Sequence, residues 1–150
     1  MIYLVQLIKI RFSMNKIVPT EKEYIFDGKV ALSQTDLKGK IIFVNRKFCE
    51  ISGYTAQELL DGEHKIIRHP DMPSNIYENM YKALKNGRSW GGLIKNLRKD
   101  GCYYWVDFEI VPVRDIEEDI AGYMSISKPA PRKNIADIEK TYEKLQNSTK

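Results

Sequence analysis

Asp100-Gly101 constrains this chain more than any other pair. Trp90 to Lys99 precedes it and Cys102 to Val113 follows, both rich in β-branched and aromatic residues. Asp-Gly between two such runs signals a hairpin, because glycine enters positive-φ turn geometry without steric cost. The second run alternates with period two. Tyr104, Val106, Phe108 and Ile110 fall on one face, and Trp105, Asp107, Glu109 and Val111 on the other. An antiparallel sheet with one strongly apolar face is therefore expected.

The other elements follow from the same kind of signal. Val30 to Gln34 and Lys40 to Val44 are strand-like and flank Asp36-Leu37-Lys38-Gly39, a turn composition. Asn45 then leads into a short helix, Arg46 to Ser52, which Gly53 stops. Thr55-Ala56-Gln57-Glu58 reads as a capping box opening a second. Ser74 to Asn86 is a longer helix, with Ile76, Met80, Ala83 and Leu84 at helical spacing. After the hairpin, the acidic loop Asp115 to Asp119 leads into a strand at Ile120 to Ser127, which Pro129 and Pro131 end. Asn134 is the expected cap of a polar helix from Ile135 to about Leu145. The order is strand, strand, three helices, three strands, helix. It predicts an α+β domain: a five-stranded antiparallel sheet with helices on one face. Residues 30–128 form that domain, 1–29 an extension, and 129–150 a C-terminal helix and tail.

At 150 residues and 43% hydrophobic content, one domain with a real core is expected. Net charge is only +4, which gives no argument for nucleic acid. Cys49 and Cys102 form no CxxC, as suits a reducing cytosol and no metal site. Met1 to Phe12 is apolar but carries Lys9 and Arg11, and falls short of the ~20 apolar residues of a membrane span. Met14 is the expected start of translation, and the cytoplasm the expected location. Reactive pairs at usable spacing are missing, so an enzyme is not expected.

The run His64-Lys65-Ile66-Ile67-Arg68-His69-Pro70-Asp71-Met72-Pro73 holds both histidines of the chain. Two prolines so close cannot lie in one regular helix, so this is a shaped loop. Its residues fit equally a capping loop, in which Arg68 and Asp71 hold their own turn, and a ligand-binding loop.

Arg68-His69-Pro70-Asp71-Met72-Pro73 also carries a resemblance. With Gly87 to Gly91, Lys95 to Gly101, Tyr104-Trp105-Val106 and Gly122 to Ile126, it resembles the FAD-binding PAS domains of bacterial aerotaxis and energy-taxis receptors. The likeness covers roughly residues 30 to 128. It implies the PAS fold and non-covalently bound FAD as a redox sensor's cofactor. It associates Asn45, Arg68, His69, Asp71 and Trp90 with FAD binding. Strand parity adds Asn96 and Tyr104, with Ile94, Val106 and Phe108 as further candidates for an apolar slot. A flavin ring wants such a slot, its polar edge wants amides, and its pyrophosphate wants a cation such as Arg68. Phe108 and Ile110 depart from the family in bulk and are expected to narrow the pocket. Asn96 is the expected signalling amide, acting through the strand it lies on.

No membrane span, HAMP segment or methyl-accepting coiled coil follows in the sequence. The resemblance therefore implies output through a separate membrane-bound methyl-accepting chemoreceptor, at its HAMP or membrane-proximal region. The expected docking surfaces are the outward sheet face with Trp105 and Val111, and the terminal helix with Ile138, Tyr142 and Leu145. A second copy of the chain is a further candidate partner. The rival readings are a ligand-free PAS interaction module and, behind it, a haem-binding PAS sensor using His64 or His69.

Overall fold

In the computed structural model, which describes residues 16–148, Gly101 turns the chain at φ +90°. The hairpin joins β3 (Trp90–Leu97) to β4 (Tyr103–Arg114), with Trp90 opposite Ile110 and Leu97 opposite Tyr103. A side chain at Gly101 would meet the Val18 carbonyl, because the N-terminal arm crosses there. That arm is tied by Thr20 N–H to the Gly101 carbonyl at 2.9 Å and Tyr24 N–H to the Tyr103 carbonyl at 2.7 Å. The apolar segment Met1 to Phe12 and the expected start at Met14 lie outside the described residues.

β1 (Ala31–Asp36), β2 (Ile41–Val44) and β5 (Ile120–Pro129) complete one antiparallel sheet of order β2-β1-β5-β4-β3. β5 extends two residues beyond its expected end. Pro129, which has no N–H, sits at its last position opposite Val106.

Three helices cover the inner face. α1 (Arg46–Ser52) is capped by Asn45, whose side chain accepts from Phe48 N–H, and stopped by Gly53 at φ +79°. α2 (Ala56–Leu59) carries the reciprocal Thr55–Glu58 capping box. α3 (Ser74–Lys85) follows Pro73 at φ −65°. Phe48, Ile51, Leu59, Met80 and Leu84 from these helices share one buried cluster with Ile41, Ile94, Tyr104 and Val106. Between α2 and α3 the motif opens as a 3₁₀ turn, His64–Ile67. Glu63 bridges to Lys40 beside β2, and Arg68 bridges to Asn96 in β3. The short segment between them therefore links the two edge strands.

The last helix, α4 (Arg132–Ser148), lies on the opposite face. Its Tyr142 ring stacks on Trp105 at 6.4 Å and 18°, and its hydroxyl donates to the Leu93 carbonyl at 2.6 Å. Two expectations change here. α4 starts before Asn134, whose N–H already bonds the Pro131 carbonyl at 3.1 Å; a proline just before the first turn has no N–H to leave unpaired. And Trp105 and Tyr142, expected as docking surface, bury each other: Trp105 is 4% exposed and Tyr142 6%.

Candidate functional site

Between α3, the motif turn and the inner sheet face lies a cavity of about 560 Å³. That is within the usual range of small-molecule sites. Its apolar wall includes Ile67, Met80, Leu84, Ile94, Phe108 and Ile110. The bulky pair Phe108 and Ile110 lines this space without closing it.

The polar end comes from three strands. The pairing of β1 with β5 sets Ser33 opposite Ser125, and their hydroxyls hydrogen-bond. Ser33 Oγ also lies 3.0 Å from His64 Nε2, joining the motif turn to the sheet. The His64 ring meets Phe48 edge-on at 5.8 Å. Burial, then the Arg68 charge, lowers the His64 pKa to about 4. His64 is therefore a neutral hydrogen-bonding group at ordinary pH. Asn96 is buried at the same cavity and hydrogen-bonds Tyr104, whose hydroxyl burial pushes well above its usual range.

The cationic end is built around Arg68. Its guanidinium carbon lies 3.9 Å from the centroid of the Tyr77 ring and 5.7 Å from that of Tyr81. Its Nη2 donates to the Tyr81 hydroxyl. Lys38, Lys65 and Lys85 line the same cavity. Its wall has one carboxylate among the described residues, Glu63, which pairs with Lys65 at 3.7 Å.

Of the seven residues expected at the site, Arg68 and Asn96 line the cavity. The other five stand behind or beside its wall, each for a visible reason. Asn45 spends its side chain on backbone: Oδ1 accepts from Leu32 N–H and Phe48 N–H, each at 3.0 Å, and Nδ2 donates to Val30 O at 3.0 Å. Trp90 shares the inner face with Ile110, its cross-strand partner, but folds over Gly92 and leans on Phe108 at 6.2 Å, so it supports a wall residue from beside. Tyr104 is buried beside Asn96, its cross-strand partner. His69 and Asp71 turn to the other side. His69 Nδ1 accepts from Asp71 N–H at 3.0 Å, and its ring meets Tyr103 edge-on at 6.4 Å. Asp71 accepts from Lys95 Nζ at 2.9 Å. Burial pushes the Asp71 carboxyl up, but the Lys95 hydrogen bond and charge outweigh it and leave a net lowering. Burial and Lys95 lower the His69 pKa against the pull of Asp71.

Tyr77, Tyr81, Ser33, Ser125 and His64 enter the site although they were not among the expected residues. The helical period of α3 held the signal for the tyrosines, since they sit one turn apart beside Met80 and Leu84. The serines had no local signal, because only strand register brings them together.

Among the described residues no His, Cys, Asp or Glu cluster could hold a metal ion, and no helix is long and apolar enough to cross a membrane. A family model described as a PAS fold matches residues 41–127. The chain is 40% identical over 133 residues to the aerotaxis receptor of Escherichia coli (strain K12), covering 89% of this chain and 26% of that protein. It is 32% identical over 101 residues to a nitrogen fixation regulatory protein of Klebsiella oxytoca, covering 67% of this chain and 20% of that one. The chain thus spans about a quarter or less of these relatives. Among solved structures, the PAS domain of a Colwellia psychrerythraea protein aligns with TM-score 0.62 and 26% identity, over 67% of this chain and 86% of that one. The dark structure of the blue-light photoreceptor Aureochrome1 LOV aligns with TM-score 0.64 and 20% identity, over 80% and 86%, a likeness of fold alone.

Proposed function

This chain belongs to the PAS family, and from that premise we propose that it is a sensor domain that binds FAD non-covalently in the inner cavity. The observation that carries the reading is one space with three chemistries: an apolar slot, a hydrogen-bonding end and a cationic mouth. That combination fits a flavin nucleotide, which has a flat ring, a polar edge and phosphates. The identity to the aerotaxis receptor of E. coli supports the same reading.

A bound flavin would supply reversible, proton-coupled redox chemistry. The chain's own residues would hold it and register its state. Ile94, Phe108 and Ile110 would flank the ring, and Asn96, Ser33 and Ser125 would face its polar edge. Arg68, with the lysines at the mouth, would take the phosphates. The Asn96 amide offers either a carbonyl or an NH₂, so it can answer a change from acceptor to donor by rotating. Its backbone is bridged to Arg68, so such a change reaches both β3 and the motif loop.

In this reading the domain senses redox state and passes it to a methyl-accepting chemoreceptor, acting as a sensor rather than a catalyst. Trp105 and Tyr142 are not the contact, because they are buried against each other. Co-purification from native cells should recover such a receptor; recovery of a histidine kinase instead would move the output elsewhere.

The absorption spectrum of the purified protein tests the cofactor. A yellow protein that releases intact FAD on denaturation is expected. A colourless protein that also fails to take up added FAD would end the flavin reading and leave a ligand-free interaction module.

A further inference from the structure

We propose that Tyr77 and Tyr81 are positioning residues that hold the Arg68 guanidinium as a preformed phosphate receptor, making the cavity select phosphorylated over unphosphorylated flavins. The proposal rests on the flavin reading above and assigns its specificity to two residues of α3.

The geometry begins at the backbone. Arg68 N–H bonds the Lys65 carbonyl at 3.2 Å, and the residue bridges to Asn96, so its Cα is held from two sides. The side chain then reaches α3, where Tyr77 and Tyr81 stand one helical turn apart. Tyr77 takes one face of the guanidinium at 3.9 Å, and the Tyr81 hydroxyl accepts one of its N–H groups. Arg carries five N–H donors in a planar fork, so most remain for a ligand.

What holds Arg68 is as informative as where it is held. A carboxylate would fix the guanidinium equally well but cancel its charge. Two phenols fix its orientation and leave the charge in place. Burial pushes the Tyr77 hydroxyl up to about 12 against the pull of Arg68, so this ring stays neutral. Glu63, the carboxylate of the cavity wall, is occupied by Lys65 at 3.7 Å. The Tyr77 hydroxyl is itself buried with no hydrogen-bond partner among the described residues. A held, unneutralised guanidinium beside that unpaired donor suits a group with several acceptor oxygens, and a phosphate ester has them.

The test uses the full chain and four probes: riboflavin, FMN, FAD and inorganic pyrophosphate. Affinities come from flavin fluorescence quenching and, for pyrophosphate, calorimetry. Wild-type protein should bind FMN and FAD more tightly than riboflavin, and Arg68→Ala should erase that preference. Tyr81→Phe keeps the ring and removes only the acceptor. It should weaken FMN and FAD by about fivefold, the scale of one modest hydrogen bond, and leave riboflavin unchanged. Tyr77→Leu should act in the same selective way. In an Arg68→Ala background, Tyr81→Phe should add nothing. Equal weakening of riboflavin and FMN would reduce the tyrosines to structural roles, and tighter FMN binding would mean that they hold Arg68 away from the ligand. Either result overturns the proposal, as does no change. If no flavin binds but pyrophosphate does, and Arg68→Ala and Tyr81→Phe weaken it, the flavin reading fails while the positioning role stands. If pyrophosphate also fails to bind, both fall.

Discussion

Arg68 and Lys95 are two cations on opposite sides of the same sheet, and each lies over a tyrosine ring. Arg68 is 3.9 Å from the Tyr77 centroid, and Lys95 Nζ is 4.5 Å from that of Tyr103. There the likeness stops. Lys95 is matched by Asp71 at 2.9 Å and Glu139 at 3.9 Å, around a space of about 130 Å³ under α4. Arg68 has phenols for neighbours and a cavity more than four times as large. A buried cation with its acids beside it is complete, and its job is to join elements. A cation held by neutral groups has charge to offer a ligand. One ten-residue motif supplies both arrangements, sending Arg68 inward and Asp71 outward. Gln146 of α4 adds to the outer joint, donating to the Pro70 carbonyl at 2.8 Å.

That division can be broken from either side. The largest effect is expected on the outer face. Trp105→Ala should destabilise the fold by about 3–5 kcal/mol, the usual cost of deleting a buried aromatic. Denaturant unfolding would measure it, and cofactor per folded molecule should not change. A loss below about 1 kcal/mol would mean that α4 is not fastened through this ring.

The second effect concerns acid. The folded-state pKa of His64 is lowered to about 4, whereas an unfolded histidine takes up its proton near 6.5. Between these values the unfolded chain binds more protons, so stability is fully present above pH 6.5 and is lost as pH falls towards 4. The whole window is worth about 3–4 kcal/mol at most, from about 1.4 kcal/mol per pH unit. His69, also lowered, contributes in the same direction. Stability measured against pH should flatten in His64→Gln, and an unchanged slope would show that the acid sensitivity lies elsewhere.

Third, Arg68→Ala should cost about 1.5–3 kcal/mol of FAD binding, the scale of a lost charged hydrogen bond. It should move the unfolding midpoint little, because the stacking it gives up is worth about 1 kcal/mol. His69→Ala should show the opposite pattern, with stability falling more than affinity. A variant set in which His69→Ala empties the cavity and Arg68→Ala does not would reverse the assignment of the two sides.

The smallest effect is expected from Asp71→Asn, at about 1 kcal/mol, because the carboxylate is largely exposed and Lys95 keeps Glu139. Its folded pKa is lowered, so its contribution is present above the ordinary carboxylate range and lost as pH falls through the folded value. The wild-type minus Asp71→Asn stability difference should vanish in strong acid.

Much of the frame is legible in the sequence. The Thr55–Glu58 capping box, Gly53 as the stop of α1 and the Asp100-Gly101 hairpin are local signals, and each element lies within a few residues of its expected place. Strand parity put Tyr104, Val106, Phe108 and Ile110 on the inner face, and Phe108 and Ile110 line the cavity. The site was legible as a neighbourhood more than as a set of contacts. Asn45 reads identically as a helix cap and as an amide for a ligand, and its three bonds to backbone became visible only once β1 and α1 met.

By itself, then, the sequence determined which segments form strands and helices, which sheet face is apolar, and that residues 64–73 cannot be regular helix. These depend on neighbours within a few residues: caps, turns, prolines and the period-two alternation. Tertiary structure alone decided the rest. The loop has no period to say which side of the sheet each residue takes. The Arg68–Asn96 bridge settles that by pinning the loop to the edge of β3, with Arg68 on one side and Asp71 within reach of Lys95 on the other. Register across 92 residues brought Ser33 to Ser125. Docking of α4 turned Trp105 from an outward strand residue into core, because an apolar sheet face and an apolar helix stripe are each stabilised by removing the other from water.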